Sequence, residues 1–187
     1  MRRIAVILAC VCLLAPLAMA QDAVKVDAKH YKVILENDQV RVLRINYGPK
    51  EKSVMHGHPD SVGVFLTDLH GQFTMPDGKK QSADNKSGQV QWYPAGKHLP
   101  ENIGDKPFEL VLVELKAKPG AAMGMAAGAK DPVKVAAAEC KVDFENDAVR
   151  VLRWTSPAKT KSPMHGHPAM VTVSRSEERR VGKECRL

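Results

Sequence analysis

Two histidines, His56 and His58, are separated by a single residue. Successive side chains of a β-strand point to opposite faces, so both imidazoles would leave the same face of an extended strand. Two imidazoles arranged in this way can hold one metal ion. The pair alone is a weak indication, because His-x-His also occurs on solvated strands, but the chain repeats it at His165 and His167. Metal binding is therefore the leading chemical hypothesis.

A third histidine, His98, lies in a patterned segment that runs from Gly88 to Asn102. Its order is glycine, five residues, Pro-Ala-Gly-Lys-His, three residues and asparagine. This order resembles the second motif of the cupin superfamily, and the His-x-His segment resembles the first. The resemblance implies an all-β cupin jelly-roll barrel in which the histidines surround a metal ion. The residues that match in order are Gly48, His56, His58, Gly88, Pro94, Gly96, His98 and Asn102.

The sequence departs from the cupin pattern in two places. The spacing between Gly96 and His98 is one residue shorter than in the family pattern, and Val62 and Gly63 occupy the place of the usual glutamate. The resemblance therefore implies a site of three neutral ligands, as in the three-histidine cupins, some of which are dioxygenases. A facial set of three ligands leaves room for water, oxygen or a chelating substrate.

The expected cofactor is one divalent metal ion held by His56, His58 and His98, with iron, manganese, zinc, nickel and copper all open. His165 and His167 are expected to be a partial remnant of a second such site, because no third histidine follows them. Ligating histidines must be deprotonated, so metal retention is expected to fail as the pH falls through the histidine range near about 6.5. The sequence does not identify a catalytic residue.

Other side chains near the motifs are further candidates for a metal ligand or for the lining of the cavity. Glu101 is a candidate fourth ligand, but in a Pro-containing loop we expect it to face solvent. His30 and His70 lie outside both motifs and are expected on the surface. Trp92 and Tyr93 come directly before Pro94 of the second motif. One of them could line the cavity, although aromatic residues in strands more often pack in the core.

The segments 35–43, 55–59 and 98–102 resemble small cupins labelled as beta-alanine degradation proteins, which implies a pathway association rather than a reaction. We expect a metal-dependent enzyme that acts on a small polar or carboxylated molecule by oxygenase-like or Lewis-acid chemistry. The alternative is a non-catalytic metal or small-ligand binding module, because the motifs contain no obvious general acid or base. Fold does not decide between the two. The sequence also leaves open whether two chains pair into a homodimer.

The chain contains an internal duplication with one constant offset of 109 residues. The sequence VRVLR at 40–44 returns at 149–153, and the segment 55–59 returns at 164–168 with the same Met-His-Gly-His-Pro residues. Two copies of one domain are therefore expected.

The duplication sets the predicted domain boundaries. We expect a complete cupin domain over 21–116, a flexible linker over 117–130 and a truncated second cupin repeat over 131–174. The tail over 175–187 is expected to be non-native, because residues 175–186 equal a reading-frame translation of a widely used sequencing adapter.

The first twenty residues are typical of a signal peptide. Arg2 and Arg3 precede an apolar run that closes with Ala18-Met19-Ala20, so the mature chain should begin at Gln21. A lipoprotein cleavage before Cys10 is disfavoured, because the apolar stretch ahead of it is very short. A periplasmic or secreted protein is expected, with no membrane association after cleavage, since no later segment approaches the roughly 20 apolar residues needed for a span.

The formal charge of +7 does not indicate a nucleic-acid partner. Two of these charges lie in the signal peptide and two in the tail, which leaves +3 on the remainder. The lysines and arginines there are scattered among acidic residues and form no basic stripe with aromatic residues. A small-molecule ligand is therefore the expected partner. Cys140 is the one cysteine outside the signal peptide and tail, and we expect it to pack inside a strand.

Short β-rich segments between turn signals must position the histidines. No long segment with helical periodicity competes with them, and Pro76-Asp77-Gly78 is a strong turn signal. Many short strands at this spacing predict an antiparallel sandwich or barrel. The strands predicted in the first copy are 31–35, 40–47, 62–67, 72–75, 89–93 and 108–115.

Overall fold

The computed structural model describes residues 21–116 and 127–174. The predicted signal peptide, most of the predicted linker and the adapter-like tail lie outside these residues. The first part contains the helix α1 (Ala23–Val26) and nine strands, and the second contains α2 (Pro132–Val135) and two strands. The strands are β1 (Tyr31–Glu36), β2 (Val40–Tyr47), β3 (His56–His58), β4 (Ser61–Phe65), β5 (Leu69–Thr74), β6 (Lys80–Asn85), β7 (Val90–Tyr93), β8 (Gly96–Asn102), β9 (Phe108–Leu115), β10 (Cys140–Glu145) and β11 (Arg150–Trp154).

Two antiparallel sheets make up the first unit. One has five strands in the order β1-β2-β9-β4-β7, and the other has four in the order β3-β8-β5-β6. One apolar cluster contains residues of both sheets, including Leu43 and Leu112 of the first and Leu69 and Ala83 of the second. The predicted fold class, an all-β jelly roll, is confirmed.

Strands with clear alternation were predicted well, and polar strands were not. The bounds of β2 and β9 agree with the prediction, whereas β6 (KQSADN) and β8 (GKHLPEN) were missed because neither alternates apolar with polar residues. The predicted turn between β5 and β6 is present. Gly78 has a φ of +81°, which favours glycine, and the Met75 N–H donates to the Lys79 carbonyl at 2.8 Å.

The segment at the start of the described chain lies against the histidine strand. The Gln21 carbonyl accepts a hydrogen bond from the Gly57 N–H at 2.9 Å, and Asp22 caps α1 by accepting from the Val24 N–H at 2.9 Å. The next residue, Ala23, is fully buried in the apolar cluster. We call residues 21–26 the N-terminal strap, because they hold β3 from outside the two sheets.

The part after the predicted linker has the local structure of the first unit at the same offset of 109 residues. The helices α1 and α2 and the strands β1 and β10 begin and end at corresponding positions. The β1–β2 ladder shifts register between Val33 and Leu35, and the β10–β11 ladder does so between Val142 and Phe144. Cys140 is fully buried, as predicted. The described residues after Trp154 form no strand.

The β10–β11 hairpin packs against the first unit at β7. The ring of Phe144 stacks on Trp92 with centroids 6.2 Å apart, and the Arg153 guanidinium donates to the Gly88 carbonyl at 2.7 Å. Within residues 21–116 and 127–174, no helix is long and apolar enough to cross a membrane.

We predict that Phe144→Ala, made in a Trp154→Phe background that leaves Trp92 as the one tryptophan of the sequence, shifts the fluorescence emission to longer wavelength, because the Trp92 indole becomes more solvated. Loss of the ring pair and its buried area should weaken docking of the hairpin by about 1–2 kcal/mol. Emission spectra and urea denaturation measure both effects. Val142→Ala is the matched control, since this side chain is 40% exposed on the same strand. Unchanged emission of Phe144→Ala would contradict the packing described.

Candidate metal centre

The structure brings the three predicted histidines together by pairing β3 with β8. His56 lies directly opposite His98 in this antiparallel ladder, and His58 leaves the same face as His56. The ligand nitrogens of the three side chains all lie within 4.8 Å of one another. Metal–imidazole bonds are about 2.1 Å long, so small side-chain rotations suffice to bring all three nitrogens onto one ion.

The orientation of His56 is fixed through one ring nitrogen. Its Nδ1–H donates to the Val54 carbonyl at 2.8 Å, and the residue is only 1% exposed. Its Nε2 is buried and has no hydrogen-bond partner in the described part of the chain. A buried polar atom without a partner costs about 1–3 kcal/mol, so native proteins rarely leave one unused. An aromatic nitrogen acceptor presented in this way fits a metal ion.

The second histidine, His58, is supported by a buried carboxylate. Its Nδ1–H donates to Glu114 at 2.6 Å, which leaves Nε2 for a metal. The other carboxylate oxygen of Glu114 accepts from the Arg41 guanidinium at 2.5 Å, and Arg41 also donates to Asp22 of the N-terminal strap at 2.6 Å. A chain of hydrogen bonds therefore joins the strap to the histidine strand. We call Asp22, Arg41, Glu114 and His58 the relay.

The charges of the relay stabilise one another. Burial by itself raises the pKa of Glu114, but the hydrogen bonds from His58 and Arg41 outweigh it and hold the pKa below the usual range. Burial lowers the pKa of Arg41, and the bonds to Glu114 and Asp22 reverse this and raise it. Glu114 is therefore a carboxylate and Arg41 a cation at all physiological pH values. The pair places a fixed negative charge behind His58.

The roles of Glu114 and Arg41 were not predicted from the sequence. Both belong to strands that were predicted correctly, and the alternation of β9 places Glu114 on the same face as the core residues Leu110 and Leu112. An acidic residue at an inward position of an apolar strand was the available signal. Its partner Arg41, however, lies 73 residues away in sequence, and no local pattern indicates that pairing.

The third histidine, His98, is held by packing. Its ring stacks on Phe73 with centroids 4.6 Å apart and an interplanar angle of 13°. Burial, followed by the neighbouring histidines, lowers the pKa of His98 to about 3, and burial with His58 lowers the pKa of His56 to about 4. Both imidazoles are neutral at neutral pH, as ligation requires. Both rings therefore keep their ligating form well below pH 6.5 in the metal-free protein, and the expected release of metal near that pH stays a prediction.

The prediction that His30 lies on the surface is wrong, because its side chain is only 5% exposed. Its imidazole bonds to Asp27 at 2.7 Å and to Glu51 at 3.1 Å, and it stacks on Tyr47 with centroids 4.0 Å apart. The neighbouring Ser53 hydroxyl donates to Asp27 and lies 3.5 Å from Nδ1 of His56. The tight turn after α1 directs His30 inward, which no motif in the sequence indicates.

The remaining candidates lie outside the histidine group. His70 is exposed as predicted and pairs with Asp84. Glu101 belongs to β8 and not to a loop, because it pairs with Gln72 of β5. Its carboxylate is 28% exposed and lies 3.8 Å from the Lys52 ammonium, so Glu101 is not a fourth ligand.

The place of the missing glutamate is filled by an aromatic ring. A Cβ atom added at Gly63 would meet Cε2 of Tyr93 at 3.0 Å and Cδ1 of Leu110 at 3.6 Å. Tyr93 packs against the apolar cluster and contacts Phe73 edge-on, with centroids 6.4 Å apart. Trp92, its neighbour, points to the other face of the sheet and stacks on the hairpin. Tyr93 therefore closes the interior below the histidines.

The second histidine pair has the same local geometry as the first. The rings of His165 and His167 are 4.8 Å apart at 89°, compared with 4.9 Å at 88° for His56 and His58. The Nδ1–H of His165 donates to the Pro163 carbonyl at 2.7 Å. Within residues 21–116 and 127–174, the first-unit group is the one set of three metal-ligating side chains that meet.

We predict that Glu114→Gln lowers metal affinity by about 10–100-fold, because the uncharged amide polarises His58 less. It also removes the buried one of the two counter-ions of Arg41 and leaves the bond to Asp22, which should cost about 2 kcal/mol of stability. Metal competition titrations and urea denaturation measure the two effects. Glu109→Gln on the same strand is the control, since its partner Arg44 is exposed. Equal metal affinity of wild type and Glu114→Gln would contradict the supporting role.

The metal-free protein should lose stability as the pH falls from about 6.5 to about 4. The unfolded chain protonates its histidines near 6.5, whereas the folded pKa values of His56 and His98 are about 4 and about 3, so unfolding takes up protons in this range. The loss is up to about 1.4 kcal/mol per pH unit for each histidine. Urea denaturation at several pH values in this range gives the free energy of unfolding as a function of pH. This free energy should change less steeply with pH for His98→Asn than for wild type, and an equal pH dependence would contradict the burial of His98.

No protein-family model and no curated protein matches the chain. Among solved structures, a cupin domain from Bordetella pertussis Tohama I is 27% identical over 46% of this chain and 92% of that one, with a TM-score of 0.44. A double-stranded β-helix domain protein from Klebsiella pneumoniae is 22% identical over 48% and 78%, with a TM-score of 0.40. A cupin superfamily protein from Desulfitobacterium hafniense is 18% identical over 46% and 76%, with a TM-score of 0.37. Residues 21–116 form two antiparallel sheets, as in an all-β jelly roll.

Proposed function

We propose that the first unit binds one divalent metal ion through His56, His58 and His98 and presents it to a small polar or carboxylated molecule. The observation that carries this proposal is the buried Nε2 of His56, which has no partner in the described residues and lies among the ligand nitrogens of the other two histidines. The supports of the three rings, namely the Val54 carbonyl, Glu114 and Phe73, agree with a preorganised site.

The chemistry of the donor set limits the reactions. Imidazole suits iron, zinc, copper and nickel, whereas manganese is better suited to oxygen ligands. A bound ion would supply Lewis acidity or, if it is redox-active, oxygen activation. Because all three ligands are neutral, the ion keeps its full charge and attracts anionic oxygen ligands. The motif resemblance to small cupins labelled as beta-alanine degradation proteins agrees with a small carboxylated molecule.

A non-catalytic binding module is the alternative function, and one observation favours it. Glu114, the carboxylate that reaches the histidines, already accepts hydrogen bonds from His58 and Arg41. It is therefore not free to accept a proton from a substrate. Tyr31, which contacts the rings of His56 and His58, bonds to the Tyr47 hydroxyl, and burial followed by Tyr47 raises its pKa well above the usual range.

The internal duplication and the predicted signal peptide allow a proposal for the rest of the chain. We infer that residues 131–174 are a second cupin repeat, and the corresponding helices, strands and register shifts of the two parts support this. The residues before Gln21 support export to the periplasm or the medium. An exported protein encounters its metal and ligand outside the cytoplasm.

We predict that His98→Ala lowers metal affinity by more than about 100-fold, because two imidazoles on one strand cannot enclose an ion. Elemental analysis of anaerobically purified protein measures the bound metal. His70→Ala and Glu101→Ala are controls that should keep a full complement, since both side chains lie outside the group. A full complement in His98→Ala would refute the three-histidine site.

The same preparation separates the two functions. Bound redox-active iron with oxygen uptake that depends on an added small carboxylic acid supports the enzyme. Tightly held zinc without turnover of any carboxylic acid supports the binding module.

A further inference from the structure

The hydroxyl of Ser61 is buried and unused. The residue is 0% exposed, and its Oγ has no hydrogen-bond partner in the described residues. Within residues 21–116 and 127–174, the other buried side-chain atom without a partner is Nε2 of His56. Buried hydroxyls normally find a partner, because desolvation without compensation is unfavourable. The two unsatisfied atoms therefore call for the same explanation.

Strand pairing places Ser61 beside two residues that lie next to the histidine group. Ser61 lies directly opposite Glu114 on one side and Tyr93 on the other. It shares its face of β4 with Gly63 and Phe65, and Phe65 belongs to the apolar cluster inside the barrel. The side chain of Ser61 therefore points to the interior.

Both neighbours of Ser61 lead to the histidines. Glu114 accepts the hydrogen bond of His58, and Tyr93 contacts Phe73, on which His98 stacks. Ser61 thus lies on the barrel wall between Glu114, which bonds to His58, and Tyr93, which contacts the Phe73 ring that stacks on His98. The facing wall carries β3 and β8 with the three imidazoles.

Charge defines the ligand that suits this wall. Arg41 pairs with both Glu114 and Asp22, so the relay keeps one net negative charge within its own hydrogen bonds, and the Ser61 hydroxyl is a neutral donor beside the imidazoles and the charge of an ion. An oxygen anion satisfies both the ion and the hydroxyl. Tyr93 and Phe73 pack against the apolar cluster beside this wall, so a ligand there has apolar neighbours on that side.

We propose that Ser61 is a ligand-positioning residue that donates a hydrogen bond to a carboxylate oxygen of a small carboxylate held at the three-histidine centre. This inference rests on the proposed function. A purely structural serine would use its hydroxyl within the protein, as Ser53 does with Asp27. An unused hydroxyl at an inward position serves a ligand instead.

The test compares wild type, Ser61→Ala and Ser53→Ala in the full chain, with and without added cobalt(II). Acetate is the probe, because it is a small carboxylate and shifts the visible spectrum of bound cobalt when it coordinates. We expect full cobalt content in Ser61→Ala and acetate affinity at least about tenfold weaker than in wild type, since hydrogen bonds to charged groups are strong.

The metal-free proteins provide a second measurement that does not depend on cobalt. Ser61→Ala should melt at the same or a higher temperature than wild type, because an unsatisfied buried hydroxyl is removed, whereas Ser53→Ala should melt at a lower temperature. A lower melting temperature for metal-free Ser61→Ala overturns the inference and leaves the metal centre intact. The inference is also overturned if Ser61→Ala binds cobalt fully and acetate with unchanged affinity, or if acetate does not alter the spectrum of the cobalt-loaded wild type. Both outcomes leave the metal centre intact. A wild type that takes up no cobalt overturns the proposed metal centre and this inference together.

Discussion

The buried ion pair between Arg41 and Glu114 is the interaction on which the arrangement of the first unit depends. It joins β2 to β9 inside the barrel, and each partner extends it, Arg41 to Asp22 and Glu114 to His58. A buried charge is tolerated only when it is paired and its hydrogen bonds are satisfied. The pair therefore fixes three parts of the chain at once: the N-terminal strap, the five-stranded sheet and the histidine strand. The orientation of His58 follows from that constraint.

The sequence predicted those elements whose signal is local. The alternation of β2 and β9 determined their bounds, and the two motifs identified His56, His58 and His98 before any contact was known. It did not predict contacts that depend on strand pairing. Glu114 and Arg41 come together only because β2 pairs with β9, and His30 is buried only because α1 turns the chain inward. The polar strands β6 and β8 exist because their neighbours pair with them.

Comparison of residues 127–174 with the first unit shows which features of the site arise within a short segment and which require the later strands of the barrel. Its Arg150 bonds to Asp131 at 3.1 Å, as Arg41 bonds to Asp22, and its histidine pair keeps the ring geometry of the first. The histidine pair needs only neighbouring residues, and the bond from Arg150 to Asp131 needs only the segment from α2 to β11, over which it joins residues 19 positions apart. The features that complete the first site, the third histidine and the buried carboxylate, come from β8 and β9, strands that come later in the chain. A histidine pair is thus encoded locally, whereas a metal centre requires a closed barrel.

The ring of Tyr93 over Gly63 has a consequence for how this site can change during evolution. A Cβ atom at position 63 would lie 3.0 Å from Cε2 of Tyr93, so a glutamate introduced there would require the ring to shift by a few tenths of an ångström. A smaller residue in place of Tyr93 would relieve this contact, but it would remove a side chain that packs against the apolar cluster and would destabilise the barrel. The effect of a fourth, acidic side chain at position 63 is therefore coupled through packing to the residue at position 93.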